Sequence, residues 1–179
     1  MKQTKKLALT GMLCALAAGI MMLGNLIPLA TFCCPALAGL MLIPVFVECG
    51  ERMSWSAYAA IALLSLILSP DKESALLFLF LGHYPVLRWR LTQIRSPLLR
   101  VGAKLLVFNL AAGLTYVCGV FVLGLTQLAA EYREMGRAMI VVFIAIANIT
   151  MLLYDRLTGI AAVLYVRRLR QKFFGRGKK

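Results

Sequence analysis

The sequence predicts an all-α, polytopic membrane helix bundle of about six transmembrane helices, and three observations carry that expectation. Of the 179 residues, 61% are hydrophobic and only 15% are charged, a balance too apolar for an ordinary water-soluble surface. The apolar residues gather into runs, several of which reach the roughly 20 residues that cross about 30 Å of hydrocarbon. The runs lack the alternation of a membrane barrel, and open strands would leave backbone groups unsatisfied in lipid. With no long Gly/Ser or Pro-rich linker, residues 1–179 read as one membrane domain ending in a short basic tail over 167–179.

The first run, Leu7 to Ile27, follows Lys2, Lys5 and Lys6, and is longer than the hydrophobic region of a secretory signal, so it is expected to stay in place. Pro28 ends it. The second run, Leu29 to Val47, stops at the polar group Glu48-Cys49-Gly50-Glu51-Arg52. The third and fourth, Trp55 to Leu68 and Ala75 to Leu87, are short for spanning helices and flank Ser69-Pro70-Asp71-Lys72-Glu73-Ser74. They form either two thin crossings or one re-entrant hairpin, and both choices leave the later segments on the same sides. The fifth run, Leu98 to Leu125, and the sixth, Ala138 to Val166, are long enough to cross, with a mixed-charge loop between them.

Charge placement orients the bundle, because cytoplasmic loops carry the excess of Lys and Arg. One side holds Lys2, Lys5 and Lys6, Arg52, the basic stretch Arg88 to Arg100 with Lys104, and the tail from Arg167 to Lys179. The other holds Lys72, Arg133 and Arg137. Both termini are therefore expected in the cytoplasm, in a multi-pass protein of the cell membrane whose first partner is the lipid bilayer. The net charge of +13 is explained by topology and not by nucleic acid, since the basic residues lie between apolar segments instead of along one amphipathic face.

Polar groups inside a membrane helix need a partner, a wet cavity or a structural reason. On the sixth run, Asn148 and Asp155 are seven residues apart and share one helical face. Asp155 and Arg156 point about 100° apart, so each needs a partner elsewhere. A buried ion pair and a substrate or coupling role for Asp155 are both open. On the fifth run, Asn109, Gly113 and Tyr116 recur at helical spacing, as a ligand wall or as an interhelical packing surface. Asn25, beside Pro28, lies at an outer entrance or simply at a helix terminus. Glu48 reads as a solvated or Arg-paired boundary residue.

His83, the single histidine, sits before Tyr84-Pro85, where carbonyls or water satisfy an imidazole more often than catalysis engages it. The five cysteines are odd in number, without CxxC spacing, and read as small buried hydrophobes, the Cys33-Cys34 pair offering a weaker redox or metal reading. No cofactor or metal set is expected. No Walker loop, HExxH or GxSxG occurs in the sequence, so neither an enzyme nor an autonomous ATPase is expected.

On the first run, Gly11, Ala15 and Gly19 repeat at four-residue spacing, which lets another helix approach closely, either a partner's or one of the same bundle. The opening Lys5-Lys6-Leu7-Ala8-Leu9-Thr10-Gly11-Met12-Leu13-Cys14-Ala15-Leu16-Ala17, with the whole-chain layout, resembles the substrate-binding S components of energy-coupling factor (ECF) transporters. In that family an Ala-xxx-Ala motif contacts the transmembrane coupling subunit, and here Gly11 takes the place of the first alanine. The resemblance implies a small-molecule ligand of the vitamin or micronutrient class bound near the outer face, and a partner ATPase pair acting through the coupling subunit. Asn25, Asn109, Tyr116, Asn148 and Asp155 are then the expected cavity residues. The connection between the first two runs is short for a ligand-covering loop. The other reading is a non-transport scaffold, similar to small rod-shape-determining membrane proteins, whose polar groups and cytoplasmic arginines organise partners.

Overall fold

A computed structural model describes residues 3–24, 30–69, 72–122, 124 and 136–169. Among them every regular element is helical, with no strand. The order is α1 (Gln3–Leu23), α2 (Ala30–Leu40), α3 (Leu42–Cys49), α4 (Glu51–Leu68), α5 (Lys72–Leu81), α6 (Tyr84–Thr92), α7 (Pro97–Val117) and α8 (Arg137–Leu164). Wider π-type turns extend α7 over Cys118–Val122 and α8 over Tyr165–Leu169. The chain divides into two compact units, one formed by Met1–Trp89 with Leu157–Lys179 and the other by Arg90–Arg156.

Prolines explain where apolar runs fail to become single helices. The second run breaks at Met41, because Pro44 has no N–H to give the carbonyl of Leu40 and its ring crowds that position. A tight turn replaces the missing helical bond, with Met41 N donating to Ala38 O. The fourth run breaks at Gly82-His83 for the same reason, Pro85 lying on the second position of α6. What hydropathy presents as one short span is therefore two short helices, and α5, with 10 residues, covers only about half of a hydrocarbon core. The third run gains at its start instead. Its helix begins at Glu51 and reaches 18 residues, directly after Gly50, whose φ of 90° is open to glycine and strained for other residues.

In the first unit α1 packs on α2, α3 and α4, while α5 packs on α2 and α4. The buried residues of α1, Thr10, Ala17 and Met21, follow one helical stripe. On α4 the stripe is Ser54, Ala57, Ile61, Ala62 and Ser65. Its serines carry no unmet donor: Ser54 Oγ donates to Gly50 O at 3.0 Å and Ser65 Oγ to Ile61 O at 2.8 Å. Phe78 is fully buried in a core that also holds Ala17, Met21, Ala38, Leu42, Val45, Ile61 and Val86. Lys72 closes the far end of α4, its Nζ donating to Leu66 O at 2.7 Å and Ser69 O at 3.2 Å, which satisfies carbonyls that a helix terminus leaves open. The end of α8 joins this unit: its last turn lies against α3, and Arg88 of α6 rests on Gly159, where any Cβ would collide with the guanidinium.

Among the described residues, three helical stretches are long and apolar enough to cross a membrane: Gln3–Leu23, Pro97–Phe121 and Ala138–Arg168. Each buries little of itself within the chain. On α8, Val141, Val142, Phe143, Ile144, Ile146 and Ile149 are all exposed, a contiguous apolar surface that water would not tolerate and lipid would.

Removing the side chain at the centre of the first unit separates interior packing from apolar surface. Phe78→Ala should destabilise the protein by about 3–5 kcal/mol, read as a lower unfolding midpoint in detergent. Phe121→Ala, at a position 81% exposed, should leave that midpoint nearly unchanged.

Candidate functional site

The strongest candidate site is a polar ladder between α7 and α8, inside the second unit. Helix α7 starts cleanly because Pro97 occupies its first turn, where no N–H is needed. Two turns later Lys104 and Phe108 turn inward, one above the other. On α8, Met151 and Tyr154 are buried, and Asn148 and Asp155 lie close to the same stripe. The two helices meet through two rungs. Lys104 Nζ lies 2.6 Å from Asp155 Oδ2, as a hydrogen-bonded ion pair whose side chains are only 7% and 16% exposed. Asn109 Nδ2 donates to Asn148 Oδ1 at 2.9 Å. Five residues separate the rungs on α7 and seven on α8, counted in opposite directions, so the helices run antiparallel at the ladder.

Both asparagines of the ladder are held by more than one bond. Asn109 Nδ2 also donates to Leu105 O, and Asn148 Nδ2 to Ile144 O, both at 2.8 Å. These back-bonds satisfy amide hydrogens that hydrocarbon would leave unpaired. The Lys104–Asp155 pair is electrically neutral as a unit, which is the form in which an intramembrane charge is tolerable. Asp155 is thus ion-paired in this structure. Arg156 is exposed and points away from this face, as the angle between adjacent helical residues requires.

The structure brings together three of the five expected cavity residues: Asn109, Asn148 and Asp155. Tyr116 follows two turns beyond Asn109 on α7 and is 36% exposed. Asn25 lies outside the described residues. At Gly113 an added Cβ would meet nothing within 4 Å among the described residues. Sequence reasoning missed Lys104. Its place beside the basic stretch Arg88 to Arg100 groups it with cytoplasmic charges, yet its side chain is buried. The available signal was its position within the fifth apolar run, where a lysine needs a counter-charge and Asp155 is the one carboxylate on the sixth.

A second polar cluster joins α1 to α3 in the first unit. Thr10 Oγ1 donates to Lys6 O at 2.9 Å and lies 3.6 Å from Cys49 Sγ, which in turn is 3.6 Å from Lys6 O. Gly11, Ala15 and Gly19 face away from it and are exposed, and a Cβ on either glycine would meet nothing within 4 Å. Among the described residues, nothing in its unit packs on Gly11 or Gly19 of this small-residue face.

His83 belongs to a turn. Its imidazole engages the carbonyls of Leu79 and Phe80 and sits edge-on to Tyr58, whose hydroxyl donates to Leu79 O at 2.7 Å. Glu48 is half-buried near the end of α3. All five thiols are free; Cys34 is buried as expected of a small hydrophobe, whereas Cys33 is exposed. Among the described residues no three His, Cys, Asp or Glu side chains gather as a metal site would require.

The chain matches no family model, no curated protein and no solved structure. Over the described residues, fold and site together define an all-helical membrane protein with three helices long and apolar enough to span, two of them joined by a buried charge pair and an asparagine pair.

A double-mutant cycle tests the ladder. Lys104→Met or Asp155→Leu alone should lower stability by about 3–5 kcal/mol, because each strands a buried charge, while the double variant should recover most of the loss. Unfolding midpoints in detergent measure all four proteins. Additive losses would show that the two charges do not depend on each other.

Proposed function

We propose that the protein is a substrate-capture subunit of a membrane uptake system, similar to the S components of ECF transporters and energised by partner subunits. In this reading it is a multi-pass protein of the cell membrane with about six crossings and both termini cytoplasmic; the broken second and fourth runs cross as paired short helices. The observation that carries the proposal is the small face of α1. Gly11, Ala15 and Gly19 lie exposed over open space on a helix long enough to span, the surface that a closely approaching helix of a coupling subunit needs. Asn109, Tyr116 and Asn148 offer hydrogen-bonding groups to a small molecule, and an ATPase pair supplies the energy for which this sequence has no phosphate loop.

A scaffold role, similar to that of small rod-shape-determining membrane proteins, is the second reading. It is favoured by one observation: Asp155 is held by Lys104, as in a structural pair.

Native mass spectrometry of the gently purified protein tests the first reading, which expects a retained small molecule together with coupling and ATPase subunits. Recovery of envelope-synthesis proteins, without solute uptake, would favour the second. Gly11→Leu with Ala15→Leu should abolish assembly with the coupling subunit while leaving the unfolding midpoint unchanged, since neither side chain would enter the interior. Unaltered pull-down yields would remove α1 as the docking face.

A further inference from the structure

The turn between α6 and α7 combines features that neither the ladder nor the α1 face uses. Arg90, Arg95 and Arg100 fall within eleven consecutive residues, and Arg90 and Arg95 are exposed. Arg100 is half-buried, its Nε donating to Ile94 O at 3.2 Å. That bond folds the side chain back over the turn and uses one of its five donors. The sequence contains no Asp or Glu between Glu73 and Glu131, so this stretch of chain is purely basic in its charged residues.

Apolar side chains stand among the arginines. Leu98 is 84% and Leu99 68% exposed on the first turn of α7, a helix long and apolar enough to span. The residue before Arg90 is Trp89, an exposed tryptophan of the kind that marks a membrane–water boundary. A soluble acidic protein or a nucleic acid would satisfy the arginines and leave both leucines in water. A phospholipid presents phosphate and hydrocarbon a few ångströms apart, and this turn sets Leu98 and Leu99 between Arg95 and Arg100 in the chain.

We propose that the α6–α7 turn is a docking surface for anionic phospholipid of the inner leaflet, with Arg90, Arg95 and Arg100 on the headgroup phosphate and Leu98 and Leu99 among the acyl chains. The inference rests on the membrane reading and not on transport. Clustered arginines beside a membrane helix attract acidic lipid at roughly fivefold per charge, and guanidinium holds phosphate through paired hydrogen bonds.

Native mass spectrometry of the full chain in detergent, with equimolar phosphatidylglycerol and phosphatidylcholine, reads this directly. The wild-type protein should retain phosphatidylglycerol preferentially. Arg95→Gln should lower that preference roughly fivefold, and Arg90→Gln/Arg95→Gln/Arg100→Gln should lower it further. Lys5→Gln/Lys6→Gln/Arg52→Gln, which removes the same charge elsewhere, should keep it, and excess inorganic phosphate should not displace the lipid. Equal retention of the two lipids by the wild type, or equal losses in the two triple variants, would overturn the proposal. Displacement by inorganic phosphate would mark a free-anion site, and tighter retention of an oligonucleotide a nucleic-acid surface; either also overturns it. Because Arg95 is exposed, its single variant keeps the test decisive even where the triple variant fails to fold.

Discussion

A lysine and an aspartate inside apolar helices must meet, and the arrangement of α7 and α8 follows from that requirement. Hydrocarbon offers neither ion a hydration shell, so each is tolerable only beside the other. Once Lys104 and Asp155 pair at 2.6 Å, the register of the two helices is set, and Asn109 comes within 2.9 Å of Asn148. Registry is the main consequence of such a pair, because its Coulombic gain is largely offset by the desolvation of both charges.

The first unit relies on a different device. Its interior joins small residues, Ala17, Ala38, Ala57 and Ala62, with a few large ones such as Phe78 and Met21, so helices approach closely and side chains fill the remaining volume. The Ser54 and Ser65 hydroxyls there return to carbonyls one turn back and Lys72 caps α4, while the buried Ser74 hydroxyl meets no hydrogen-bond partner among the described residues. A unit organised this way has no need of the glycines on the opposite side of α1. Open space over Gly11 and Gly19 leaves that face suited to another helix, which is why it carries the functional proposal.

The two proposals draw on different surfaces. The α1 face concerns which protein binds, while the turn after α6 concerns which lipid surrounds the protein. Neither uses the Lys104–Asp155 pair as a ligand site. If a small molecule binds along α7 and α8, the amides and Tyr116 are the groups available to it, and the ion pair holds the helices that present them.

Composition and run length were enough to determine an all-helical membrane protein, because the thickness of hydrocarbon and the demand for satisfied backbone groups act on any sequence whatever its packing. They were enough, too, to place Asn148 and Asp155 on one face, since helical periodicity is local. The breaks at Met41 and Gly82-His83 were less legible: hydropathy averages over a proline, whereas the backbone loses a specific hydrogen bond there. Only the tertiary structure assigned Lys104 to Asp155, 51 positions away, and left Gly11 and Gly19 uncovered. Which polar residue meets which, and which small face stays open, depends on how separate helices pack, and that information does not reside in any single run.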